Sequence, residues 1–176
     1  MLRTCLFIRI YHDQALYKEP GGGLTPWHAD QYYFPVSNDN ATTAWIPLHN
    51  VPLEMGPLAF SEKSHHVQHG RDLVIGDESE LILKQVLKAF NTNETPFDLG
   101  DVSFHAGWTF HRAGPNLTDQ MREVMTIIYM DQDIRLAQPQ NKDQVEDLNH
   151  CPGVQVGDVI ASALNPVIFT CDGSKS

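Results

Sequence analysis

The sequence predicts a mostly β protein, an antiparallel sandwich or barrel that carries one helix between its strands. Three observations predict this class: the apolar segments are short, turn residues are frequent with 12 glycines and 11 prolines, and one stretch has helical periodicity. A doubly wound α/β fold requires several helices that alternate with strands, and the sequence pattern does not provide them.

Length and composition fit one folded domain. The chain has 176 residues, of which 41% are hydrophobic and 19% are charged, so it is globular rather than disordered. A net charge of −10 argues against binding to nucleic acids or anionic membranes, because both require clustered lysine and arginine. We find no apolar run of the ~18 residues that a membrane span requires. Nucleic acids and membranes are therefore not expected partners.

The predicted elements follow in order along the chain. Apolar and aromatic residues predict strands at residues 6–11, 15–17, 42–48 and 57–60. A helix is predicted from Asp77, as its N-terminal cap, to Phe90, because the apolar positions 83, 86, 87 and 90 share one face.

The second half of the chain contains the clearest strand. Residues 102–104 form a short predicted strand after a Gly-Asp turn. Residues 122–130 are mostly apolar, and in an extended strand the even-numbered side chains share one face and the odd-numbered side chains the other. Beyond Asp131 the chain is polar and contains prolines at 139, 152 and 166, which predicts a tail that wraps around the domain.

A histidine and a carboxylate lie two residues apart at His28 and Asp30. On an extended strand their side chains point to the same face, which makes a partial metal site. A third imidazole would complete the 2-His-1-carboxylate facial triad that suits non-heme Fe(II). A His-x-Asp motif alone is weak evidence for a metal site. Two further residues strengthen it: His111, and Arg122 at the start of the predicted strand 122–130. A buried guanidinium requires a partner, and a carboxylate ligand suits it.

An ordered series of motifs connects these residues: TPWHAD at 25–30, AWIPL at 44–48, MGPL at 55–58, SH at 64–65 and GDVSFH at 100–105, closed by His111 and Arg122. The series resembles the phytanoyl-CoA dioxygenase family of Fe(II)- and 2-oxoglutarate-dependent oxygenases over about residues 13–129. The resemblance implies a double-stranded β-helix (a cupin-like jelly roll) with one or two helices and a metal at its open mouth.

The positions of this chain that match the family's motifs take the roles that those residues have in the family. The resemblance implies that His28, Asp30 and His111 bind iron, that Arg122 binds the distal carboxylate of 2-oxoglutarate, and that Trp45 lines the cosubstrate pocket. O₂ is the other cosubstrate that it implies.

Three features depart from, or discriminate within, the family. Ala113 replaces a serine whose hydroxyl helps to hold 2-oxoglutarate in many members, which predicts weaker cosubstrate binding unless another donor substitutes. The chain begins almost at the first matching strand, so we expect residues 1–176 to form one jelly-roll oxygenase domain without the family's N-terminal region. Related halogenases have a small residue where this chain has Asp30, so hydroxylation is favoured over halogenation.

The expected function is hydroxylation of a small organic molecule. Trp108 and Tyr32 are candidate substrate contacts because they flank the metal-site residues in sequence. Two alternatives stay open: a non-catalytic jelly-roll binding module that retains a metal, and a cupin-type isomerase or hydrolase that needs no O₂. Three widely spaced cysteines (5, 151 and 171) predict reduced thiols and a cytoplasmic location.

The other histidines and Lys18 are given ordinary roles. His105 is expected to be a core or outer-shell residue. Lys18 is expected to be solvated, with one alternative left open: a cation near the mouth that attracts an acidic substrate. The remaining assignments are a solvated loop for the cluster at 65, 66 and 69, and no special role for His12, His49 and His150.

Overall fold

Two antiparallel sheets form the body of the protein in the computed structural model, which describes residues 7–170. The strands are β1 (Phe7–Lys18), β2 (Thr25–His28), β3 (Ala41–Pro47), β4 (Leu58–Ser61), β5 (Thr92–Glu94), β6 (Ser103–Ala106), β7 (His111–Ala113), β8 (Arg122–Asp131) and β9 (Val167–Thr170). One sheet has the order β6-β3-β8-β1-β9 and the other β2-β7-β4-β5. With helices α1 (Asp77–Val86) and α2 (Lys142–Asp147), this is the predicted mostly β jelly roll.

The centre of the five-stranded sheet is the pair β1 and β8. Strand β8 alternates buried and partly exposed residues along most of its length, as the sequence predicted, and pairs with β1 from Asp131 to Arg122. Strand β1 is continuous where the sequence predicted two short strands, and its register shifts between Ile10 and His12. This bulge places Tyr11 and His12, although consecutive, both in the interior.

Helix α1 holds β2 against the rest of the molecule. Its buried Leu83, together with the neighbouring Leu87, packs in a cluster that contains Trp27, Ala29 and Phe110. The predicted apolar face is therefore the packed face, and the helix stabilises the two strands that carry residues 28 and 111.

The predicted cap of α1 was wrong by one residue. The N-cap is Gly76 rather than Asp77, because the Ser79 hydroxyl accepts a hydrogen bond from the Gly76 amide and donates one to the Gly76 carbonyl. Asp77 lies inside the first turn, where its negative charge interacts favourably with the positive end of the helix dipole.

The C-terminal segment is more structured than the predicted wrapping tail. Helix α2 begins after Asn141, whose side chain accepts a hydrogen bond from the Gln144 amide. A 3₁₀ turn at Leu148–His150 follows, and β9 pairs with β1. The segment buries apolar side chains against Tyr11 and the end of β8: Ile134, Leu136, Cys151 and Ile160.

The described residues include one cysteine and two α-helices. The thiol of Cys151 is free and buried, whereas Cys5 and Cys171 lie outside the described residues. In residues 7–170, neither helix is long and apolar enough to cross a membrane.

Candidate active site

A cavity of about 780 Å³ lies between the two sheets. Its wall includes all four residues that the sequence singled out for iron and cosubstrate, namely His28, Asp30, His111 and Arg122, and Trp45 as well. The volume is within the range of sites that bind small molecules. The strands therefore bring residues that are distant in sequence to one cavity.

His28 and His111 are directly opposite each other on neighbouring strands. β2 pairs with β7 in a register that opposes the two residues, and their ring centroids are 4.3 Å apart. Strand pairing thus fixes the separation of the two imidazoles. One ligand atom from each of His28, Asp30 and His111 lies within 4.8 Å of the other two.

Asp30 reaches the same place by a different route from the one predicted. β2 ends at His28, and Asp30 begins a 3₁₀ turn rather than continuing the strand. Ala29 is still extended, with φ −129° and ψ 134°, so the carboxylate faces the imidazoles. The Asp30 Oδ1 atom lies 3.8 Å from the His28 Nε2 atom and 3.4 Å from the His111 Nε2 atom.

Backbone carbonyls determine which nitrogen each imidazole presents. The Nδ1 of His28 is 2.8 Å from the Pro26 carbonyl, and the Nδ1 of His111 is 2.9 Å from the Thr109 carbonyl. Because a carbonyl oxygen only accepts hydrogen bonds, each Nδ1 carries the proton. Each Nε2 lone pair is then directed toward Asp30, which is the tautomer that binds a metal.

The other carboxylate oxygen of Asp30 is held by two donors. The Thr43 hydroxyl donates to Oδ2 at 2.7 Å, and the His105 Nε2 lies 3.1 Å from the same atom. His105 is therefore an outer-shell residue, as expected, while Thr43 was not predicted. These bonds leave Oδ1 free to face the two imidazoles, as the second shell of a metal site does.

The charge state of the triad matches its geometry. Burial lowers the pKa of His28 and of His111, and each imidazole is therefore neutral at physiological pH. Burial opposes ionisation of Asp30, but the neighbouring imidazoles, His111 first and His105 next, hold its pKa well below the usual range. Two neutral imidazoles and one carboxylate are the forms in which these side chains bind metals.

Arg122 forms a cationic wall of the same cavity. Its guanidinium is buried, donates from Nη1 to the Gly56 carbonyl and lies 5.6 Å from the centre of the Trp45 ring. The Nε atom is buried without a hydrogen-bond partner. Burial lowers the pKa of Arg122 to about 10, so the side chain keeps its charge at neutral pH. A buried donor without a partner indicates that an acceptor binds here.

Lys18 lies in a different environment from the one that the sequence predicted. It was expected to be solvated, but it is 8% exposed and lines the cavity beside Arg122. Its ammonium donates to the carbonyls of Gly23 and Gly114. Burial and the neighbouring Arg122 lower the pKa of Lys18 to about 8. In the described part of the chain, neither cation has a carboxylate within ion-pair distance.

The candidate substrate residues lie elsewhere. Trp108 and Tyr32 line a separate groove and are not part of the cavity wall that contains His28. Trp108 is in a loop, and its indole N–H donates to Asp39. Tyr33, the neighbour of Tyr32, is on the cavity wall instead.

Two histidine assignments have opposite outcomes. The cluster at 65, 66 and 69 is exposed, as predicted for a solvated loop. His12 and His150 were treated as ordinary, yet both line the main cavity. Spacing could not reveal this, because β1 and the turn after α2 are at opposite ends of the chain.

Comparisons with solved structures agree with this architecture. The carbocyclase SnoK from nogalamycin biosynthesis, described as non-heme and alpha ketoglutarate dependent, has 25% identity and a TM-score of 0.76 over 93% of this chain and 63% of its own. The epimerase SnoN, solved in complex with Fe³⁺, alpha ketoglutarate and nogalamycin RO, has 27% identity and a TM-score of 0.75 over 92% of this chain and 65% of its own.

Sequence comparisons lead to the same group. A probable alpha-ketoglutarate-dependent hypophosphite dioxygenase of Stutzerimonas stutzeri is 27% identical over 128 residues, which are 69% of this chain and 45% of that protein. The chain thus spans less than half of that relative. The sequence profile of phytanoyl-CoA dioxygenase (PhyH) matches residues 3–124, more than half of the chain. With the jelly roll and the His-Asp-His cluster in place, the match shows that the chain belongs to the phytanoyl-CoA dioxygenase family.

Proposed function

We propose that this protein is a non-heme Fe(II)- and 2-oxoglutarate-dependent dioxygenase that hydroxylates a small organic molecule. One observation carries the proposal: His28, Asp30 and His111 converge in the cavity that also contains the unpartnered Nε of Arg122. Three side chains of the metal-ligand type and a buried cation are thus on the wall of one cavity. Bound iron and 2-oxoglutarate would together activate O₂ and yield succinate, CO₂ and an oxidised substrate.

The triad fits ferrous iron by its donor set. His28 and His111 would bind through Nε2, and Asp30 through Oδ1, which its partners Thr43 and His105 leave free. Three ligands on one face leave open positions for a cosubstrate and O₂. The role of the chain is to hold these three atoms in place with hydrogen bonds and strand pairing.

The part of the cavity wall formed by Arg122, Lys18 and Trp45 suits a dicarboxylate. Arg122 and Lys18 would bind the distal carboxylate together, and Trp45 would form a wall beside it. Two buried cations without an ion pair favour an anion of one or two negative charges. Lys18 supplies a donor near Ala113, where the family often has a serine hydroxyl, and so offsets its absence.

The remaining cavity wall supports a small organic substrate. Apolar and aromatic side chains line it beyond the triad: Tyr33, Phe34, Ile75 and Ile128. Such walls bind the carbon skeleton of a ligand and exclude water from the reacting centre.

We propose further that residues 1–176 make up one oxygenase domain and that it acts in the cytoplasm.

An anaerobic titration tests the proposal. Adding 2-oxoglutarate to the Fe(II)-loaded protein should produce a visible metal-to-ligand charge-transfer band. Asp30→Ala should remove the band, whereas Asp119→Ala, which alters an exposed carboxylate, should keep it. No band in the wild-type protein would contradict the proposal.

Turnover separates the alternatives. In air, the wild-type protein should release succinate above a His111→Ala control. A band without succinate would indicate a non-catalytic module that still binds metal. Turnover under argon would indicate an isomerase or hydrolase of the cupin type, and Arg122 would then have no role in binding 2-oxoglutarate.

A further inference from the structure

A second His-Asp-His cluster lies on the wall of the same cavity. It consists of His12 on β1, Asp147 at the end of α2 and His150 in the following 3₁₀ turn. One ligand atom from each residue lies within 4.8 Å of the other two. None of the three belongs to the triad of His28, Asp30 and His111.

The spacing of this cluster is that of metal ligands rather than of hydrogen bonds. The Nε2 atoms of His12 and His150 are each 3.8 Å from the Asp147 Oδ1 atom. Hydrogen bonds of this type are about 2.7–3.2 Å long. Two ligands ~2.1 Å from a common tetrahedral ion are roughly 3.4 Å apart. The corresponding distances in the triad are similar: 3.8 Å from His28 Nε2 to Asp30 Oδ1 and 3.4 Å from His111 Nε2.

The imidazole of His12 is buried, and its ring nitrogens are not fully paired within the protein. The residue is 7% exposed, and its Nδ1 atom is buried without a hydrogen-bond partner. Its Nε2 atom faces Asp147 at a distance beyond hydrogen bonding. The Nε2 atom, and not the unpartnered Nδ1 atom, is therefore the ligand atom that His12 presents to Asp147. The stacked ring of His150, with centroids 4.1 Å away, offers a second imidazole beside the first.

Asp147 is held as Asp30 is held. The Tyr11 hydroxyl donates to Oδ2 of Asp147, which leaves Oδ1 toward the two imidazoles. In the triad, Thr43 donates to Oδ2 of Asp30 and leaves Oδ1 toward its imidazoles. A carboxylate whose far oxygen is fixed by a neighbour is the usual second shell of a metal ligand.

We propose that His12, Asp147 and His150 bind a second divalent transition-metal ion of the Zn²⁺ type, because one ligand atom from each converges with the other two and both imidazole–carboxylate distances are too long for hydrogen bonds. The ion joins β1 to α2 and the following turn, and so fastens the C-terminal segment at the cavity. All three residues line the cavity, so an oxygen donor from the cavity would complete the coordination of the ion. The site shares no ligand with the proposed iron centre and does not depend on it.

Zinc stoichiometry tests the site. After chelator treatment and Zn²⁺ loading, the wild-type protein should contain two ions, and His150→Ala and His28→Ala should each contain one. The double variant should contain none. His66→Ala, which alters the exposed histidine cluster, should keep two. In His28→Ala, Zn²⁺ should also raise the midpoint of thermal unfolding, and the increase should vanish when His150 is replaced too.

Other outcomes overturn the proposal. Two ions in His150→Ala, or a single ion in the wild-type protein that His150→Ala keeps, excludes the second site. A second ion that is lost in His66→Ala and kept in His150→Ala assigns it to the exposed histidines instead. If His28→Ala fails to fold, the wild-type and His150→Ala proteins decide the question, since equal zinc contents contradict it. A wild-type protein that binds two ions but lacks the charge-transfer band supports this site and contradicts only the proposed oxygenase.

Discussion

Lys18 and Arg122 are cross-strand partners at the ends of β1 and β8, so two buried cations are side by side in one cavity wall. Like charges opposite each other on a sheet are destabilising. Lys18 binds only backbone carbonyls, and Arg122 keeps an unpartnered Nε. A carboxylate that binds both cations relieves this repulsion, which explains why the pair lies at the proposed 2-oxoglutarate end.

Replacing Lys18 should therefore weaken cosubstrate binding and leave iron binding unchanged. A hydrogen bond to a charged group contributes about 1.5–3 kcal/mol, so Lys18→Met should raise the KM for 2-oxoglutarate by roughly 10- to 100-fold. Lys18→Arg keeps the charge and should retain much of the affinity. Steady-state kinetics and Fe(II) titration of both variants provide the measurement. An unchanged KM in Lys18→Met would exclude contact between Lys18 and the cosubstrate.

Affinity for 2-oxoglutarate should fall at alkaline pH. The pKa of Lys18 in the free protein is lowered to about 8 by burial and by Arg122. A bound carboxylate favours the charged amine, so its pKa is higher in the complex. Affinity is then independent of pH below about 8 and decreases by up to about tenfold per pH unit above it, until the pKa of the complex is reached.

The matched variant isolates this effect from the metal. Lys18→Arg has the same triad and a side chain that stays protonated, so its affinity should stay level over the same pH range. Anaerobic titrations between pH 7 and pH 9, below the pKa of Arg122, would show the two profiles. The assignment to Lys18 is wrong if both proteins lose affinity in parallel.

Thr43 should control metal affinity without contacting the metal. Its hydroxyl donates to Oδ2 of Asp30, and Thr43→Val removes that donor with almost no change in shape. Loss of such an outer-shell bond typically weakens metal binding by about 10- to 100-fold. Thr42→Val, one residue away and on the other face of β3, should bind Fe(II) like the wild-type protein. Equal affinities for the two variants would show that Thr43 has only a structural role.

The sequence predicted the parts of the site that depend on local spacing. His28 and Asp30 lie two residues apart, and an extended Ala29 between them suffices to bring both to one side. Even so, Asp30 belongs to a 3₁₀ turn, because strand pairing with β7 ends at His28. The alternating pattern of β8 likewise predicted its length and the buried position of Arg122.

Features that depend on distant contacts could not be predicted. Lys18 follows a half-exposed stretch and looks solvated, and only its pairing with Arg122 makes it part of the cavity. His12 enters the interior because of a bulge that its sequence does not indicate. Its proximity to Asp147 requires α2 to fold back onto β1, which no periodicity near His12 encodes.

Gly56 should prove essential for the position of Arg122. It has φ +70°, its carbonyl accepts from Arg122, and a Cβ atom there would lie 2.2 Å from the Gly114 carbonyl oxygen. Gly56→Ala therefore incurs about 1–2 kcal/mol for the left-handed backbone and a steric clash as well. Gly153→Ala, at φ +78° with open space around it, incurs the first cost alone.

The two glycine variants separate strain from function. Both should lower the midpoint of chemical unfolding, Gly56→Ala by the larger amount. Only Gly56→Ala should also raise the KM for 2-oxoglutarate, because it displaces the carbonyl that orients the guanidinium. If its folded fraction binds 2-oxoglutarate normally, the Gly56 carbonyl does not position Arg122.

Helix α1 should stabilise the strand that carries His28 through one buried side chain. Leu83 is fully buried in the cluster with Trp27 and Ala29, whereas Leu81 on the opposite face is 69% exposed. Leu83→Ala should lower the free energy of unfolding by about 2–5 kcal/mol, since it removes buried methyl groups and leaves a cavity. Leu81→Ala should change it by less than about 0.5 kcal/mol. Urea denaturation of both variants, with Fe(II) affinity measured on the folded proteins, tests this: equal losses of stability would show that α1 does not pack through this face.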